Sequence, residues 1–101
     1  VLVGANLSGS EMIAADFSSE KLTGANLSHV NLYGGNLSKA DLSKADLSEA
    51  NLEKVNFSEA DLSGADLSGA IMFEAILFNT RFDIVTVFPQ GFDPVKAGAI
   101  N

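Results

Sequence analysis

Residues 40–69 read ADLSK ADLSE ANLEK VNFSE ADLSG ADLSG, six consecutive five-residue units from Ala40 to Gly69. Each unit has a small apolar residue, an Asn or Asp, a large apolar residue, a Ser (Glu53 once) and a variable residue. The same register runs outward in both directions. A Leu, Met or Phe falls on every fifth position: Leu2, Leu7, Met12, Phe17, Leu22, Leu27, Leu32, Leu37, Leu42, Leu47, Leu52, Phe57, Leu62, Leu67, Met72, Leu77 and Phe82. A helix turns about 100° per residue, so side chains five apart are rotated by roughly 140° and cannot share a face. A flat strand has a period of two, so an odd step sends every second centre to the wrong side. The spacing therefore requires a short strand and then a corner that resets the phase, once per unit.

The neighbours of the centres assign the remaining places. Two residues before a centre, ten of sixteen positions are Ala; one before, eleven of sixteen are Asn or Asp; one after, Ser dominates. The small and large apolar residues lie two apart and point inward together, while the Asn or Asp between them points outward. Ser and the variable residue form the corner, where such residues suit tight turns. A unit of this size cannot bury its apolar pair alone. It must stack on copies of itself, which is the logic of a solenoid.

This pattern resembles the pentapeptide-repeat family, whose units read A(D/N)LxX, and the resemblance covers about four-fifths of the chain. It implies an all-β fold: a right-handed quadrilateral parallel β-helix, four units per coil and about four coils. Residues twenty apart then stack, such as Leu22, Leu42, Leu62 and Phe82, in a rod roughly 20 Å tall at the usual strand spacing. Lys21, Asp41, Asp61 and Arg81 share one outward column in this arrangement.

The expected organisation is a β-helix over 1–82 and a capping tail over 83–101. Ile71, Phe73, Ile76 and Phe78 stand at outward places of the last coil, where an exposed apolar patch is usually covered or used. The tail carries Ile84, Val85, Val87, Phe88, Phe92, Val95 and Ile100 and is expected to cover that patch; an end-to-end homodimer is the alternative. A cap also answers the open strand edge of the last coil. Within TVFPQGFDPVKAGAI (86–100), Pro89-Gln90-Gly91 reads as a turn. Asp93-Pro94 and Gly98 are start and stop signals for a one-turn helix near 94–97. This tail resembles the ending of many cyanobacterial pentapeptide-repeat proteins. Upstream, Glu20 and Lys21 replace the small residue and the Asn/Asp before Leu22, and a bulge or turned-out corner is expected there.

The formal net charge is −7, which argues against direct nucleic-acid binding, since phosphate recognition needs clustered Lys and Arg. It suits a basic protein partner or simply a solvated rod surface. Asp41, Asp46, Asp61 and Asp66 form a candidate acidic interaction face on two neighbouring sides. His29 is the only histidine and there is no Cys, so a zinc site has no ligand set and no disulfide can form. The recurrent Ser and Asp residues serve the turn, and a Ser-His-Asp triad has no support around His29. No catalytic residue, metal or cofactor is expected. No apolar run is long enough to span a membrane. The chain starts at Val1 in mid-register, which reads as a trimmed N-terminus of a cytoplasmic protein. The expected function is a non-enzymatic structural or protein-interaction module, a C-terminal domain of a larger protein. Some family members inhibit DNA gyrase by imitating duplex DNA, so the resemblance also implies an alternative: modulation of a DNA-binding protein.

Overall fold

The computed structural model describes residues 1–101. The chain winds so that each outward Asn/Asp place pairs in parallel with the residue twenty further on. Four such columns make four sides. The first side carries Lys21, Asp41, Asp61, Arg81 and then Ile100; the second carries Asn6, Asn26, Asp46, Asp66 and then Val87. The third carries Glu11, Asn31, Asn51 and Ile71, and the fourth Asp16, Asn36, Asn56 and Ile76. The predicted column of Lys21, Asp41, Asp61 and Arg81 is present, so the coil has four units.

One unit shows how the backbone satisfies itself. In 45–49, the Ala45 N–H bonds to the Leu42 carbonyl (3.0 Å) and closes the preceding corner. Asp46 N–H reaches down to Ala25 (2.9 Å), while Leu47 and Glu49 reach up to Asp66 (2.7 Å) and Ser68 (2.9 Å). Only the Ser48 N–H has no carbonyl, and it donates to Asp46 Oδ1 at 2.9 Å. A full account of the main chain thus needs the Asn/Asp side chain. The corner is a four-residue turn closed by an i→i+3 bond. Its third residue has φ between 55° and 72°, the pattern of a type II turn. Ten of these third residues are not glycine, including Lys39, Lys44, Glu49 and Glu59. Left-handed backbone is costly for such residues, on the order of 1–3 kcal/mol, and survives only where surroundings over-determine it. Here the bonds to the next coil do so for nine of the ten, and Glu74 is held by the bond across its turn, from the Ala75 N–H to the Met72 carbonyl (3.1 Å).

Inside, the centres and small residues from Leu22 to Leu77 form one close-packed column of buried side chains. The one buried polar side chain, Thr80, occupies a small-residue place and donates its hydroxyl to the Phe57 carbonyl at 2.6 Å. In the first coil Leu2, Leu7, Met12 and Phe17 are only half-buried.

Three expectations need correction. No bulge forms at Glu20: its N–H bonds to Phe17 (3.1 Å), its carbonyl accepts from Asp41 (3.0 Å), and Lys21 pairs with Asp41 in register. The side chain points inward at the open rim, partly exposed, 2.8 Å from the Val1 amino group. A rim position spares it the desolvation that a mid-rod carboxylate would suffer. Second, 94–97 is a single turn rather than a helix. Asp93 Oδ1 accepts the Lys96 N–H (3.1 Å), one i→i+4 bond joins Ala97 to Asp93 (3.2 Å), and Ala99 to Pro94 and Gly98 to Val95 bonds (both 3.0 Å) close it. Gly98, at φ 103°, reverses the chain, so the start and stop signals leave no room for a second turn. Third, the tail does not cover Ile71, Phe73, Ile76 and Phe78, which remain 53%, 65%, 50% and 60% exposed. It crosses the end of the core instead, where Phe88 meets Phe82 edge to face (centroids 5.4 Å apart) and stacks on Phe92 (5.5 Å).

The repeat itself also runs past Phe82. Thr86, Val87 and Phe88 occupy the small, outward and centre places of another unit, one residue late, so Asp66 pairs with Val87. Asp83 absorbs the extra residue. Its Oδ1 replaces a backbone carbonyl for the Gly64 N–H (3.0 Å) and also accepts from Val85 and Thr86 (both 3.1 Å). The signal in the sequence is the pair Thr80-Arg81-Phe82 and Thr86-Val87-Phe88, six apart instead of five.

Leu47 is fully buried in the column, so Leu47→Ala should cost roughly 2–5 kcal/mol in chemical denaturation. Ser48→Ala, which removes a hydroxyl bonded at 2.6 Å to Asp46 but keeps the N–H, should cost about 0.5–1 kcal/mol. Equal losses would mean that the centre is not the stabilising place.

Candidate interaction surface

The sides differ in chemistry because the outward place changes charge and polarity, while the inward places, Glu20 at the rim apart, stay small or apolar. The first and second sides hold the predicted acidic face, with Asp41 above Lys21, Asp61 below Arg81, and Asp46 beside Asp66 in the second column. The structure brings these four carboxylates onto adjoining sides as the spacing requires. Their Oδ1 atoms are already engaged, each accepting the N–H two residues on, at Ser43, Ser48, Ser63 and Ser68. Asp41 Oδ2 takes the Thr23 hydroxyl at 3.0 Å, and Asp61 Oδ2 lies 3.6 Å from the Arg81 guanidinium. Only the remaining oxygen edge of each faces a partner. No group of three His, Asp or Glu residues is arranged to hold a metal ion.

The third and fourth sides are different. Above Glu11 and Asp16 in the first coil, Asn31, Asn51, Asn36 and Asn56 make a neutral amide grid, and Ile71 and Ile76 stand above it. Phe73 and Phe78 occupy the serine places of the corners beside them. On the corner that joins these two sides, Lys54 lies 5.7 Å from the Tyr33 ring centre and 3.8 Å from Glu74 Oε1. Phe88 and Phe92, expected in the tail over the patch, are instead half-buried against the core. His29 lies on a corner of the second side, exposed and with φ 58°. A single shallow dent is lined by Glu59, Asn79, Arg81 and Ile100. No helix is long and apolar enough to cross a membrane.

The hydrogen bonds set the acidity of three carboxyls. Asp41 is held below its ordinary value by the Ser43 hydroxyl, then by the Ser43 N–H and the Thr23 hydroxyl. Asp16 is lowered by the Ser18 N–H, and Asp83 first by the Gly64 N–H. Donors aimed at a carboxylate favour its charged form.

The sequence matches the family model for pentapeptide repeats, in eight copies, over residues 1–38 and 36–72. Among solved structures it is similar to the pentapeptide repeat protein Rfr23 of the cyanobacterium Cyanothece 51142, with 34% identity and a TM-score of 0.81. That match covers 82% of this chain and 56% of the other, so the chain spans little more than half its length. It is also similar to alr5209, a pentapeptide repeat protein of Nostoc PCC 7120, with 40% identity, a TM-score of 0.52 and coverage of 97% and 77%. A third similar structure, the Arabidopsis thaliana thylakoid lumen protein AT2G44920, shares 30% identity at a TM-score of 0.36, with coverage of 83% and 66%. No curated protein matches the sequence. The fold common to these proteins is the right-handed quadrilateral β-helix.

Asn and Asp fill the same outward places, so Asp46→Asn should be nearly neutral. Asp46→Ala strands the Ser48 N–H and should cost about 1–2 kcal/mol by urea denaturation. For Asp41, whose folded pKa lies below the ordinary 3.8, the stabilisation is complete above that value and is lost as pH falls through the folded one. Asp41→Asn should therefore lower stability near neutral pH and flatten the acid limb of the stability profile, the two proteins converging below the folded pKa. An acid limb as steep as that of the parent would refute the assignment.

Proposed function

We propose that this chain, which belongs to the pentapeptide-repeat family, is a non-enzymatic interaction module, and that 83–101 caps its rod. The observation that carries this reading is the division of labour between places in the unit. Inward residues build an invariant core, and the Asn/Asp and Ser groups hold the turns. What varies lies outside, in columns at strand spacing of about 4.8 Å, as a rigid two-toned surface. Acidic sides adjoin neutral and apolar ones. Such a surface suits recognition of a protein, because its backbone is already fixed and only side-chain freedom is lost on binding.

A second reading rests on the acidic sides alone. Stacked carboxylates at Asp41, Asp61, Asp46 and Asp66 offer a row of negative charge that a DNA-binding protein could accept. The flanking Lys21 and Arg81 shorten that row at both ends of the first side. A DNA-supercoiling assay with gyrase separates the two readings. The module reading expects no inhibition; inhibition abolished by Asp46→Asn with Asp66→Asn would replace it with the second. The module reading is tested by capture on immobilised protein with quantitative mass spectrometry. A partner lost on substituting outward residues of one side, at unchanged melting temperature, supports it, and capture no different from that of a charge-matched control sinks it.

The cap proposal draws on the contacts of Phe88 with Phe82 and Phe92 and on the buried Ala99. Deleting 84–101 uncovers the end of the core, so the shortened chain should aggregate or melt at a lower temperature. A soluble monomer with unchanged melting would show that the tail is dispensable.

A further inference from the structure

The apolar patch and an unfinished part of the backbone ladder coincide. On the first side the tail continues the ladder, with Ile100 beyond Arg81, and the Phe82 N–H donates to the Ile100 carbonyl at 3.1 Å. On the second side Val87 follows Asp66, and the Leu67 N–H donates to Val87 at 2.7 Å. Between these points the tail cuts across the end of the core. The third side therefore stops at Ile71. One coil earlier, Leu52 and Lys54 donate to the carbonyls of Ile71 (2.8 Å) and Phe73 (2.9 Å), and Ala50 accepts from Ile71 (2.9 Å). Their counterparts, the Met72 and Glu74 N–H groups and the Ala70 carbonyl, have no partner. The fourth side is already part-occupied at its far corner, where Asn79 donates to Gly98 at 3.0 Å.

The outward residues change where the ladder stops. Of the sixteen outward places, only those at 71 and 76 hold Ile, and only at 73 and 78 does Phe follow a centre. Ile71 and Phe73 have also given up the side-chain acceptor that Asn51 offers the Glu53 N–H at 3.1 Å. An edge with free donors, a free acceptor and apolar flanks is the receiving half of a strand addition. Main-chain bonds supply affinity there, and alternate side chains supply choice.

We propose that the edge from Ala70 to Glu74 receives an extended segment of another protein, apolar at its centre and carrying Lys or Arg. The segment adds one parallel strand to the third side. One of its apolar side chains sits outward above Ile71, as Ile100 sits above Arg81. Charge selects the partner over a second copy of this chain. The net charge is −7, the acidic first and second sides repel a copy, and beside the edge Glu53 and Glu74 outnumber Lys54, which lies 3.8 Å from Glu74. The proposal rests on the interaction-module reading and names where and how such a module binds.

The probe is an end-blocked peptide with a Val–Ile centre and Lys ends, titrated into the whole chain and followed by amide NMR. Shifts should centre on Ile71, Met72, Phe73 and Glu74, and the Met72 and Glu74 amides should gain protection from exchange. N-methylation of alternate peptide bonds should weaken binding about tenfold or more, as should Phe73→Asp. Val85→Asp, an exposed apolar site at another corner, should leave it unchanged. Equal binding of the methylated peptide, shifts confined to the acidic sides, or no binding would overturn the proposal. So would sedimentation showing that the patch closes against a second copy. Partner capture scores the module reading separately, so either can fail without the other.

Discussion

The structure depends on a single amide per unit. In a coil built from five-residue units, four of the five N–H groups meet carbonyls, within the turn or in the neighbouring coils. The fifth, directly after the large apolar residue, turns outward at the corner and meets none. An Asn or Asp two residues earlier supplies the missing acceptor, and it does so in all eleven units that have one, from Asn6 to Asp66. The donor is Tyr33 or Glu53 as readily as Ser, so the amide is what has to be satisfied. The serine hydroxyl adds a second bond to the same oxygen at Ser8, Ser28, Ser43 and Ser48. This explains a sequence in which half the outward surface is written by the backbone's own needs.

The same interaction shapes the electrostatics. A carboxylate does everything an amide does at this place and adds a charge, so Asp and Asn exchange freely along a column, as in Asn6, Asn26, Asp46 and Asp66. The choice between them sets which sides are acidic without touching the core. The turn tolerates Lys, Glu and His in left-handed backbone because the bond to the next coil and the bond across the turn both fix it. A solenoid of this kind separates what holds it up from what it shows to a partner.

The two ends break that separation. At the first coil the inward residues are half-open and an inward Glu20 is tolerated at the rim. At the last coil one extra residue near Asp83 displaces the chain, and the tail then pairs with two sides, touches the fourth only at Asn79 and leaves the third open. These last two are the sides with Ile71 and Ile76, where the outward place has abandoned its turn-holding role for apolar surface.

The sequence determined the unit, the inward and outward places, the core from Leu22 to Phe82 and the column of Lys21, Asp41, Asp61 and Arg81. It could do so because a strict period leaves one way to bury Leu and Ala on every turn of the chain. It also located the acidic face, since outward places follow from the same register. It could not show that Asp41 or Asp46 is half-consumed by a turn, because that bond depends on where the Ser N–H points. It misjudged Glu20, the turn at 94–97 and the cover over Ile71 and Phe73. Each of these depends on an end, where periodicity no longer dictates the neighbours. Tertiary structure alone decided that the tail would cross the core by way of Phe88 and Phe92, because the open end of the column offers apolar surface for those rings to cover.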